Sequence, residues 1–105
     1  MAEGPKNYGW IIDEVHVEGL SEEVGTCGPF NAAEEILDRL RNSDEGRKFR
    51  MLDGDGELDY VGRIITPDTV GSGSSLDFSP LDHFGRPNVG SASIEYLING
   101  KWEEL

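Results

Sequence analysis

The densest chemistry in the chain is LDGDGELDY, residues 52–60, where Asp53, Asp55, Glu57 and Asp59 occupy alternate positions around Gly54 and Gly56. Alternating oxygen ligands on a glycine-bearing loop are what a calcium ion requires. A helix–loop–helix calcium loop takes oxygens at its first, third and fifth positions, Gly at the sixth and a bidentate Glu at the twelfth. Starting at Asp53 puts Leu58 sixth and Ile64 twelfth. Starting at Met51 puts Gly56 sixth, but Met51 is then first and Gly62 twelfth. Neither register supplies the ligands, and neither flank reads as a helix. In a strand pair, alternate side chains point to opposite faces, so the four carboxylates diverge. The expectation is no metal site beyond weak, millimolar calcium or magnesium binding at the tip.

A second group is LDHFGRP, which carries Asp82, His83 and Arg86 on one segment. A histidine beside a carboxylate can serve as a general base, and an arginine can orient an anion. These three residues are the candidate ligand-binding or enzymatic site, beneath a loop at 76–90. Cys27, in GTCGPFN, precedes a predicted helix whose N-terminus could lower the thiol pKa. As the single cysteine it excludes an internal disulfide and any cysteine-built zinc cluster, and it reads as a small, partly buried apolar residue. No nucleophile elbow, phosphate loop or dinucleotide fingerprint is present, so no catalytic residue and no cofactor is assigned.

The elements that position these groups follow from periodicity. Residues 8–17, YGWIIDEVHV, are aromatic and β-branched and predict a strand, with Trp10 and Ile12 on one face and Ile11 on the other. Residues 18–29 predict a loop. Ala33, Ile36, Leu37 and Leu40 form an apolar stripe at helical spacing, with Asn31 as N-cap and Glu34 completing a capping box. Residues 47–65 predict a hairpin. A four-residue tip at 53–56 pairs Met51 with Leu58, Arg50 with Asp59 and Phe49 with Tyr60. A two-residue turn at Asp55 and Gly56 is also allowed. Either turn points Phe49, Met51, Leu58, Tyr60 and Ile64 to the core. Residues 66–75 read as a flexible Gly/Ser excursion, and 76–90 as an aromatic-anchored loop capping the core. Asn99 and Gly100 predict a tight hairpin that pairs Leu97 with Trp102.

With 105 residues the chain is long enough for one domain, burying roughly 65% of its unfolded surface. Residues 1–7 are expected to be loose and 8–105 to form the domain. The fold class is α+β: a mostly antiparallel sheet of about five strands with one helix on one face, or alternatively a small curled, barrel-like sheet. No long apolar run and no signal peptide are read, so a cytoplasmic protein is expected.

The formal net charge is −12, with 21 acidic against nine basic residues. Such a surface repels phosphate backbones and anionic lipid, which argues against direct nucleic-acid or membrane binding. It suits solubility, a salty cytoplasm, or attraction of a basic protein partner. The basic residues Arg39, Arg41, Arg47, Lys48 and Arg50 gather between helix and hairpin, beside Asp38, Asp44 and Glu45, and are expected to be locally paired.

Three segments, VGTCGP, KFRMLDGDGELDYVGRI and PLDHFGRPNVGSASIEYLINGKWEEL, carry a resemblance. Their order and pattern, an FRM-x-D-x-DGE-x-x-Y-x-GRI hairpin followed by PLD-x-FG-x-PN-x-G, resemble a group of small bacterial and mobile-element proteins. The resemblance implies one domain and transfers no activity. The leading expectation is a small acidic interaction domain, acting as an inhibitor or DNA mimic, that meets its partner through Glu18, Glu22, Glu23, Asp53, Asp55 and Glu57. The alternative is a small-ligand or enzymatic domain using Asp82, His83 and Arg86.

Overall fold

The computed structural model describes residues 8–29, 32–66 and 75–104. Its strands are β1 (Gly9–Val15), β2 (Cys27–Gly28), β3 (Arg47–Leu52), β4 (Leu58–Ile65), β5 (Ser93–Ile98) and β6 (Lys101–Glu104). They form one open antiparallel sheet in the order β2-β1-β4-β3-β5-β6. The sheet has two ends rather than closing as a barrel. The sixth strand is β2, two residues inside the predicted loop 18–29, whose backbone pairs Gly28 with Trp10. The expected loose segment 1–7, the N-cap Asn31 and most of the expected flexible excursion lie outside the described residues.

Strand alternation sorts the side chains between two faces. Trp10 and Ile12 of β1, Phe49 and Met51 of β3, Tyr60 and Ile64 of β4, and Ile94 and Tyr96 of β5 form one buried cluster with Leu81 and Phe84. Ile11 points the other way and packs on Ile36 and Leu40 of α1 (Glu34–Asn42). The helix therefore lies on one face, as its apolar stripe predicts. Its acidic first turn, Glu34 and Glu35, and basic last turn, Arg39 and Arg41, both suit the helix dipole. The helix begins two residues later than the sequence predicts. Ala33 holds the cap position in an extended conformation without a side-chain hydrogen bond, and Glu34 is the first helical residue.

The segment 76–90, expected as an irregular loop, is helical. A 3-10 turn (Ser75–Phe78) leads to a π-type turn (Leu81–Gly85) and then to α2 (Arg86–Val89). It does cap the core. The Phe84 ring lies 4.9 Å from Tyr60 and 5.5 Å from Trp10, centroid to centroid. Inclined aromatic pairs of this kind, the Tyr60 one edge-on and the Trp10 one tilted, contribute about 1 kcal/mol each beyond the area they bury. The Trp10 indole N–H donates to Ser79 Oγ at 3.2 Å, and the Tyr96 hydroxyl donates to the Asp77 carbonyl at 2.7 Å. Two polar handles thus tie the segment to the sheet. Helical periodicity was hidden because Pro80 and Pro87 break the run into single turns.

The β3–β4 hairpin has its own register. Met51 pairs with Tyr60, Arg50 with Val61 and Phe49 with Gly62, whereas Leu52 pairs with Leu58. Asp59 is the extra residue of a bulge. The strand bodies follow the register of the two-residue turn, not that of the four-residue tip. Gly62 explains the choice. A Cβ there would lie 2.6 Å from the Phe49 ring and 2.1 Å from the Ile11 carbonyl oxygen, so only glycine lets Phe49 fold across β4. The bulge also turns Leu58 away from the core it was expected to join; Leu58 is half-buried and outside the main cluster. The expected ion pair between Arg50 and Asp59 is absent. Arg50 instead binds Glu95 of β5 at 2.6 Å and stacks over the Trp102 ring at 4.3 Å.

Candidate functional site

β1 runs antiparallel to β4, so the chain leaving β1 and the tip joining β3 to β4 project from the same end of the sheet. Two hydrogen bonds fix that proximity. The His16 N–H donates to the Asp59 carbonyl at 2.8 Å, and the Tyr60 hydroxyl donates to Glu23 Oε1 at 2.7 Å. The six expected partner-binding carboxylates therefore share one end of the molecule, although 18–23 and 53–57 lie far apart in sequence.

They are not equivalent. Glu18 and Glu22 are exposed and have no cation partner among the described residues. Glu23 is half-buried and structural: its second oxygen accepts from Asn88 Nδ2 at 2.9 Å, joining the 3-10 turn (Ser21–Glu23) to β4 and α2. Burial, and then the Glu23 carboxylate, hold the Tyr60 hydroxyl well above its usual pKa. Asp53 is committed to the turn. Its Oδ1 accepts from the N–H groups of Asp55 at 2.8 Å and Glu57 at 3.0 Å, while Gly56, at φ +82°, closes the loop by donating to the Asp53 carbonyl. Asp55 and Glu57 are exposed and project from it. Asp59 is buried and accepts from Ser91 Oγ at 2.8 Å. Two exposed carboxylates thus stand on each segment, backed by Glu14, which pairs with His16 at 3.0 Å.

No lysine or arginine occurs in 14–38 or in 51–62. The cations sit elsewhere, and the structure engages most of them. Arg39 pairs with Glu45, Arg41 with Glu34, Arg50 with Glu95 and Arg86 with Asp82. The Arg47 guanidinium donates to the Leu97 carbonyl at 3.2 Å. The local pairing expected of the basic group is therefore observed for Arg39, with Glu45, while Arg41 and Arg50 find more distant carboxylates.

Arg63 is the functional-looking residue that the sequence did not reveal. All five of its N–H groups are used: two on the Asp13 carboxylate at 2.7 and 2.9 Å, and the others on the carbonyls of Leu40, Ser43 and Glu45. It closes the C-terminus of α1 onto the sheet. Asp13 reaches it because a bulge between Ile12 and Glu14 re-aims that side chain. The hydrogen bonds to Asp13 raise the guanidinium pKa further above its usual value. Arg63 floors an open polar cleft of about 310 Å³, with Asp13, Glu14, Asp44, Gly46 and Lys48 around it. With its donors consumed, Arg63 offers nothing to an anion there. The single available signal was a lone charge inside the apolar strand VGRII.

The alternative site is not assembled as its chemistry would need. Asp82 and Arg86 are exposed and bond each other at 3.1 Å one helical turn apart, and His83 is exposed beside them. Tyr60 is buried beneath Phe84 with its hydroxyl on Glu23, and Trp102 lies on the opposite sheet face with Arg50. Among the described residues no three His, Cys, Asp or Glu side chains are grouped to hold a metal ion. No helix there is long and apolar enough to cross a membrane. Comparison of the chain with family models, with curated proteins and with solved structures returns no match.

Proposed function

We propose that the chain is a non-enzymatic interaction domain that captures a basic protein through the acidic end of its sheet. The observation that carries this reading is a group of exposed carboxylates at one end of the sheet. Glu18, Glu22, Asp55 and Glu57 are exposed without cation partners among the described residues, brought together from two segments that lack any lysine or arginine. The described arginines elsewhere are engaged in internal contacts. Carboxylates on adjacent projections are complementary to surfaces rich in Lys and Arg, which otherwise meet phosphates. An inhibitor that displaces DNA from a basic protein is the sharper form of the proposal. The resemblance of the hairpin and of the 80–105 segment to bacterial mobile-element proteins supports reading such an inhibitor as a bacterial, cytoplasmic protein with Cys27 as a free thiol.

The test is competition. Wild-type protein is expected to displace duplex DNA from a basic DNA-binding protein at low salt. Displacement should fade toward about 1 M salt, where the Debye length is about 3 Å. The quadruple variant E18Q/E22Q/D55N/E57Q should keep the fold, with an unfolding free energy within about 0.5 kcal/mol of wild type, and lose the activity. Displacement by the quadruple variant at wild-type strength would rule the reading out.

A further inference from the structure

The sheet ends at β6, whose outer side has no neighbour among the described residues. Asn99 and Gly100 both have left-handed backbones, at φ +52° and +79°, as a two-residue hairpin turn requires. Ile98 and Lys101 therefore exchange both backbone hydrogen bonds, as do Tyr96 and Glu103 two residues on. By the same alternation, the N–H and C=O groups of Trp102 and Glu104 point outward, away from β5. Lys101 and Glu103 are exposed on one face. Trp102 is on the other, under the Arg50 guanidinium.

We propose that this edge pairs with the same edge of a second copy of the chain, antiparallel, about a two-fold axis through Trp102. In that register Trp102 meets the second copy's Trp102, and the two exchange both outward backbone bonds. Lys101 falls opposite the second copy's Glu103, and Glu103 opposite its Lys101, giving two reciprocal ion pairs on one face. The indoles meet on the other face, each already stacked by its own Arg50. The charge pattern selects this arrangement. An axis through Glu103 sets Glu103 against Glu103, and one through Glu104 sets Glu104 against Glu104. An axis through Lys101 opposes two lysines. Axes between residues would set outward groups against inward ones. KWEE is thus self-complementary in one register and repulsive in its neighbours, which is how a short charged edge restricts its partners. The pairing is small beside the ~1,600 Å² of a standard interface, and each copy carries a net charge of −12, so the dimer is weak and concentration-dependent.

Sedimentation of the full chain from about 10 µM to about 1 mM, at ~0.15 M salt, tests this. The weight-average mass should rise from monomer toward dimer. K101E and E103K should each weaken association at least about tenfold, because two attractive cross-strand pairs become two repulsive ones. The charge-swapped K101E/E103K chain should regain it. Glu104→Pro, which removes an outward N–H without touching the bonds to β5, should leave a folded monomer. A wild-type chain that stays monomeric to the highest concentration overturns the proposal. So do single charge variants that associate like wild type, or a swapped chain that does not recover.

Discussion

Replacing Arg63 by alanine should be the most damaging change to any exposed or half-exposed polar residue in this fold. The guanidinium makes five hydrogen bonds, at 2.6 to 2.9 Å, to one carboxylate and three helix-end carbonyls. A hydrogen bond involving a charged group is worth about 1.5–3 kcal/mol, but the five share one group and do not add. The Arg63 side chain is 14% exposed and that of Asp13 is 30% exposed, so part of what is lost is recovered by water. The expected cost is about 3 kcal/mol, below the 3–5 kcal/mol range of fully buried pairs. That is a large share of the roughly 5–15 kcal/mol available to a domain of this kind. Arg63→Lys keeps the charge but not the fork, and should cost about half as much. Urea unfolding of R63A, D13N and the double variant gives a cycle with an expected coupling of about 1–2 kcal/mol, at unchanged denaturant slope. Amide exchange should quicken first at the C-terminus of α1. A cost below about 1 kcal/mol for R63A, or a coupling near zero, would refute the account of Arg63 as the clasp between helix and sheet.

Three further outcomes follow from the same contacts. Gly62→Ala places a methyl group within 2.1 Å of the Ile11 carbonyl oxygen, so it should cost about 3 kcal/mol in urea unfolding; tolerance within about 0.5 kcal/mol would show that Phe49 does not lie across β4. Calorimetric titration with calcium should give no tight, stoichiometric uptake at the hairpin tip, since Asp53 Oδ1 is occupied by two backbone N–H groups, and Asp53→Ala should cost about 1 kcal/mol in its absence. Burial, and then nearby carboxylates, raise the pKa of Tyr60 and of Tyr96 above the ordinary value of about 10. The folded chain therefore holds two protons that the unfolded chain releases, and the stability they secure is present below about pH 10 and lost as pH rises beyond it, by about 1.4 kcal/mol per unit per tyrosine. Tyrosinate absorbance from these two residues should appear together with unfolding, and its appearance near pH 10 in an intact fold would contradict the burial argument.

Local pattern was enough for some of this protein. The stripe of Ile36, Leu37 and Leu40, the opposed faces of Trp10 and Ile11, and the turn at Asn99 and Gly100 each depend on periodicity or on backbone freedom, and each stands in the structure. The α+β class follows from them. The mismatch of LDGDGELDY with a calcium loop is also legible, because ligand spacing is a property of sequence alone.

Tertiary structure decided what depends on partners distant in the chain. Sequence spacing sets Asp59 opposite Arg50, yet a bulge and Ser91 decide its place, while Arg50 turns to Glu95 and Trp102. The helical form of 75–89 came from docking Leu81 and Phe84 onto an apolar face, which overrode two prolines that fragment the local signal. Whether acidic residues are free or committed was likewise decided in space. Glu22 and Glu23 are neighbours of identical type, but only Glu23 lies beneath the Tyr60 hydroxyl. Net charge is a sum over the sequence; where that charge remains unneutralised depends on which cations the fold brings within reach, and among the described residues Glu18, Glu22, Asp55 and Glu57 meet none.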